Sequence, residues 1–118
     1  AELLAQRMAD NKTRCILLNT GWSGGPHGEG QRMSLKATRA LLDGALDGEL
    51  DSVELEKHPI LGLKMPTTCP GVDSEILNPR DTWDDPEAYD KAAIRLREMF
   101  RANYRDQGYA DWGIASAM

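Results

Sequence analysis

Cysteine, histidine and phenylalanine are scarce in this chain, at two, two and one among 118 residues. Two cysteines, Cys15 and Cys69, cannot staple a disulfide scaffold. Neither lies in a CxxC pair or a Cys/His cluster, which argues against a zinc site. The pair reads as reduced thiols of a cytosolic protein, with a single disulfide between them as the alternative. Long apolar runs are missing as well: none approaches the roughly 18 residues that a membrane span needs. The N-terminal stretch carries charges at Glu2 and Arg7 where a secretory leader has an apolar core. Positive charge is also short. Lys and Arg number 14 against 19 Asp and Glu, which leaves a net charge of −5 and a pI near 5.0. That balance argues against nucleic acid or an anionic membrane as the main partner, yet leaves room for a local basic pocket.

What is present is a globular composition. Hydrophobic residues make up 41% and charged residues 28%, which separates the chain from disordered sequences. Its length suits one small domain or a slice of a larger one, with a modest buried share either way. Leu3, Leu4 and Met8 recur at helical spacing from the very start, with no N-cap before them and no initiating Met. A processed or tagged terminus and a piece of a longer protein both account for this.

Periodicity places the elements. Residues 1–11 read as a helix ending near Asn11. The continuous apolar run Cys15-Ile16-Leu17-Leu18-Asn19 reads as a strand covered on both faces. Gly21 to Gly30 carries glycine at positions 21, 24, 25, 28 and 30, too many to hold helix or strand. Ser34 is an N-cap for a helix from Leu35 to Leu46, with Thr38, Leu41, Leu42, Ala45 and Leu46 on its inner face and Gly48 as its stop. Ser52–Glu56 alternates like a half-exposed strand. Residues 58–83, broken by Pro59, Pro66, Pro70 and Pro79, read as irregular. A last helix has Asp85 as N-cap, Pro86 in its first turn and Gly108 at its end. Its stripe runs through Tyr89, Ala92, Ala93, Leu96, Met99, Phe100 and Asn103. The tail 109–118 has no period and is expected to be loose. Repeats and low-complexity tracts are not seen.

The glycine loop carries the most chemical information. It follows an apolar run and precedes a helix, where phosphates and nucleotides dock. No GxxxxGK[ST] occurs, and Gly28-Glu29-Gly30 is followed by Met33 where a dinucleotide fingerprint has its third glycine. Spacing alone therefore leaves an ordinary mobile loop and a ligand loop both open. Arg32 stands at the loop–helix junction. A guanidinium there meets a phosphate bidentately or stacks on a ring such as adenine, or else is simply solvated. Thr38 is a buried helical threonine or a hydrogen-bond partner for a ligand edge. His27 and His58 share no evident partner and read as structural or exposed. Asp84 and Asp85 fit capping better than acid–base work, and Ser23 lacks a nucleophile elbow. Trp22 and Trp83 flank turn-like segments and would each bury a large area if covered. No residue set points to a catalytic centre or to metal ligands.

Longer words are more specific. Leu18 to Gly28, then Gly30-Gln31-Arg32-Met33-Ser34 and Thr38-Arg39-Ala40, resemble the C-terminal region of ATP-dependent phosphoenolpyruvate carboxykinases. So do Pro66-Thr67, Cys69-Pro70-Gly71-Val72, and Ile76-Leu77-Asn78-Pro79-Arg80-Asp81-Thr82-Trp83 with the Tyr89 helix. The likeness covers roughly residues 1–105; Ser23, His27 and Asp81 depart from the common residues, and nothing beyond Tyr104 is carried over. The resemblance implies a mixed α/β fold, with residues 1–118 a single segment of the family's nucleotide-binding C-terminal domain. It implies that Arg32, Met33 and Thr38 contact the nucleotide around its adenosine end. The parent activity it implies is cytoplasmic and gluconeogenic: oxaloacetate and ATP give phosphoenolpyruvate, ADP and CO2, with Mg2+ or Mn2+. The family's phosphate loop, metal ligands and catalytic lysines have no counterpart here, so the chain alone is expected to be inactive. Expected partners are ATP or ADP and the remainder of the parent enzyme, with no nucleic acid and no membrane. The alternative is a non-catalytic module that self-associates without ATP affinity.

Overall fold

A computed structural model describes residues 2–13 and 15–112 as a mixed α/β arrangement of three helices and two small antiparallel ladders. Helix α1 spans Glu2–Asp10. It closes with Lys12 at φ 51°, while Thr13 N–H donates to Met8 O at 2.8 Å and Lys12 N–H to Ala9 O at 3.2 Å. This is the left-handed helix stop that glycine usually makes, here made by lysine.

Cys15–Asn19 corrects the reading above. The run is not a strand, and Leu17 is 83% exposed. A continuous apolar strand needs a sheet to pair with and cover on both faces, and nothing among the described residues provides one. The glycine segment corrects it in the other direction. Strands β1 (Trp22–Ser23) and β2 (Gln31–Arg32) pair across the loop, with Trp22 opposite Arg32 and Ser23 opposite Gln31.

Helix α2 spans Leu35–Leu46, as its spacing predicts. The Ser34 hydroxyl accepts from Ala37 N–H at 3.1 Å, and Gly48 takes the left-handed stop at φ 77°. Its buried face differs from the expected one. Ala37, Leu41 and Gly44 are buried, whereas Leu46 is 75% exposed. Size explains the rotation. A Cβ at Gly44 would come within 3.2 Å of Cys69 Sγ, and Gly71 packs against Ala40, so the small residues admit the 69–71 turn against the helix. Cys69 is buried there as a free thiol, and exposed Cys15 is free too.

The predicted strand near 52–56 appears shifted, as β3 (Leu55–Lys57) paired with β4 (Lys64–Pro66). The expected irregular stretch thus contains β4 and two 3-10 turns, Ser74–Ile76 and Pro79–Thr82. Helix α3 spans Pro86–Asp106, capped by Asp85, whose Oδ1 accepts from Glu87 and Ala88 N–H at 2.9 and 3.2 Å. Only the first part of its stripe is covered: Tyr89 and Ala93 are buried, while Leu96, Met99 and Phe100 lie open. Tyr109–Trp112 forms a further 3-10 turn, and residues 113–118 of the tail lie outside the described residues. Among the described residues no helix is long and apolar enough to cross a membrane.

Candidate functional site

The glycine loop is closed by its own backbone. Pro26 O accepts from both Glu29 and Gly30 N–H at 3.0 Å, and Met33 N–H donates to Gly21 O at 3.0 Å, extending the β1–β2 ladder by one rung. The two sides cross so tightly that a Cβ at Gly30 would sit 2.6 Å from Ser23 O and 2.8 Å from Gly25 O. Only glycine permits that approach. Arg32 therefore ends a strand, Met33 bridges to the cap at Ser34, and Thr38 lies in the first turns of α2. Arg32 is exposed; Met33 and Thr38 are half-buried. Among the described residues no carboxylate pairs with Arg32. The structure thus brings the three sequence-predicted residues onto one strand–cap–helix junction, with the cation available. Trp22, opposite Arg32 in the ladder, meets His27 edge-on with ring centroids 5.0 Å apart.

A second cluster holds the frame beside the loop. His58 is 3% exposed. Its Nδ1 accepts from Ile60 and Leu61 N–H at 3.2 and 3.0 Å, which assigns the proton to Nε2, and Nε2 donates to Tyr89 Oη at 2.7 Å. Burial lowers the His58 pKa, against a smaller upward pull from Asp90. Burial raises the Tyr89 pKa, and Asp90 adds to it. Asp90 accepts from Arg80 Nε and Nη2 at 2.9 and 3.0 Å, and that hydrogen bonding holds its carboxyl below the usual range. Trp83 meets Tyr89 edge-on at 5.4 Å. A neutral imidazole with all its polar atoms engaged is a structural group, which agrees with the structural reading of His58. Sequence reasoning missed the pairing. The partners are 31 residues apart and share no local period.

The remaining candidates stay apart. Asp85 is spent on capping, and among the described residues no histidine or carboxylate hydrogen-bonds a serine hydroxyl. Nor do three His, Cys, Asp or Glu side chains among them gather into a group that could hold a metal ion. A shallow hollow of about 180 Å³ lies between β3, β4 and the two 3-10 turns, lined by Glu56, Met65, Leu77 and Asp81 among others. It does not include Arg32, Met33 or Thr38. That hollow therefore lies away from the strand–cap–helix junction.

Residues 1–75 match the family model described as phosphoenolpyruvate carboxykinase. The phosphoenolpyruvate carboxykinase (ATP) of Flavobacterium johnsoniae is 51% identical over 104 residues, 88% of this chain and 20% of the relative. That of Pelobacter propionicus is 48% identical over 118 residues, 99% of this chain and 22% of the relative. A third, from Christiangramia forsetii, is 52% identical over 105 residues, 89% of this chain and 20% of the relative. The chain spans about a fifth of the length of the curated relatives it matches.

Proposed function

Because the chain belongs to the phosphoenolpyruvate carboxykinase (ATP) family, we propose that it supplies the adenosine-side wall of an ATP site. The complete enzyme converts oxaloacetate and ATP to phosphoenolpyruvate, ADP and CO2, in the cytoplasm and in the service of gluconeogenesis. The 118 residues form one segment of its nucleotide-binding domain. The observation that carries this reading is the junction itself: Arg32 exposed and without a carboxylate partner among the described residues, next to half-buried Met33 and Thr38. Arg32 meets the nucleotide through its guanidinium plane or N–H fork. Met33 gives a soft apolar surface to the base, and the Thr38 hydroxyl reads a polar edge.

Phosphoryl transfer needs metal and fixed cations around the moving phosphate. Among the described residues no group of three or more His, Cys, Asp or Glu side chains could hold a divalent metal. On this reading the metal and the catalytic groups belong to the remainder of the enzyme, which also covers the open stripe of α3. The isolated chain binds nucleotide weakly and turns nothing over. Titration with MgATP, followed by backbone amide shifts, tests the reading. Saturable shifts are expected between Gly30 and Thr38. Arg32→Ala is expected to weaken binding about tenfold, in keeping with a lost charge-assisted contact. A folded chain with no shifts there contradicts the proposal and favours self-association without ATP affinity.

A further inference from the structure

One hydrogen bond ties the glycine loop to a segment far from it in the chain. Gly24 N–H donates to Thr82 Oγ1 at 3.0 Å, across 58 residues. The same hydroxyl gives its own proton to Pro79 O at 2.8 Å. Its hydrogen is thus already used, and toward Gly24 it acts only as an acceptor. The approach is close on the backbone side too. A Cβ at Gly24 would stand 3.3 Å from Thr82 O, and Gly24 has φ +75°. Among the described residues no other hydrogen bond joins residues 24–30 to a segment outside the loop and its ladder. The Pro26 bonds close the loop upon itself; Thr82 fixes it to the rest of the molecule.

Thr82 is itself held. It ends the 3-10 turn Pro79–Thr82, and Arg80 in that turn is bidentate on Asp90 of α3. Gly24 follows Ser23 directly, and Trp22 and Ser23 pair with Arg32 and Gln31. One hydrogen bond and one two-residue ladder therefore lead from the α3 platform to Arg32. Resting on the nucleotide reading above, we propose that Thr82 is a positioning residue for the ATP site. Its hydroxyl sets the glycine loop against α3 and so fixes the strand end that presents Arg32. Thr82 itself does not touch the nucleotide.

The role belongs to the hydroxyl and not to the shape of the side chain, so Thr82→Ser and Thr82→Val separate it from packing. Both variants of this chain are titrated with MgATP while amide exchange at Gly24 is followed. Thr82→Val is expected to expose the Gly24 amide to faster exchange and to weaken ATP binding about fivefold, the scale of one hydrogen bond. Thr82→Ser is expected to stay within about twofold of the parent chain in affinity. Should Thr82→Val not fold, Thr82→Ala gives the same two readouts. Equal affinity for the parent chain and Thr82→Val overturns the positioning role alone, as does a Thr82→Ser loss as large as that of Val. No response to ATP in the parent chain overturns the nucleotide reading and this role with it.

Discussion

At Gly30 a single methyl group tests how the loop is built. A Cβ there meets Ser23 O at 2.6 Å and Gly25 O at 2.8 Å, and both are backbone atoms that cannot swing away. Gly30→Ala is expected to cost about 1–3 kcal/mol, as forced overpacking does, and to open the β1–β2 ladder. Urea unfolding and the loss of protection at Met33 N–H check it. His58 gives a second residue-scale prediction. The folded chain keeps its imidazole neutral, with its pKa below the ordinary 6.5, whereas the unfolded chain takes up a proton near that ordinary value. Stability is therefore level above about pH 6.5 and declines as the pH falls below it. The Asp90–Arg80 pair is lost only further down, as Asp90 protonates through a pKa already held low. Denaturation midpoints at a series of pH values are expected to slope downward below about pH 6.5, and His58→Gln should remove the slope. Residue chemistry was partly legible in the sequence. The junction singled out Arg32, the long specific words added Met33 and Thr38, and the MgATP titration is what tests all three. The Gly25–Gly30 crossing and the His58–Tyr89 bond were not legible, since both are contacts of backbone or side chain that leave no periodic trace.

Among the elements, those punctuated by local chemistry were readable and those needing a distant partner were not. Ser34, Asp85 and Pro86 mark the starts of α2 and α3 because a cap is satisfied within three residues. Asp85→Ala is expected to cost about 1 kcal/mol, since it leaves Glu87 and Ala88 N–H without their acceptor. Asp85→Asn should recover most of that loss, and a shift in thermal midpoint measures both. Cys15–Asn19 went the other way. Its pattern describes a buried strand, yet a strand takes its hydrogen bonds from a neighbour, and none lies among the described residues. The α2 face was misjudged by size: the large Leu42 and Leu46 suggested the core, whereas the small Ala40 and Gly44 let the Cys69–Gly71 turn approach.

The molecule as a whole is more open than a free-standing domain of its size. Its radius of gyration is 15.9 Å, against about 13.5 Å for a packed chain of this length. Its accessible surface is 9015 Å², against about 6,400 Å² for a monomer of this mass. Among the described residues the buried set is small: Ala37, Leu41, Gly44, Cys69, Tyr89, Ala93 and His58, with Leu96, Met99 and Phe100 of α3 left outside it. This openness, with Arg32 exposed and without a carboxylate partner among the described residues, on a chain that spans about a fifth of its relatives' length, is consistent with the proposed role as one wall of a nucleotide site. The most direct test is the MgATP titration of the chain, read at backbone amides. Saturable shifts confined to Gly30–Thr38, and about tenfold weaker binding in Arg32→Ala, are the predicted result. A well-dispersed spectrum in which those amides do not move at millimolar ATP would contradict it.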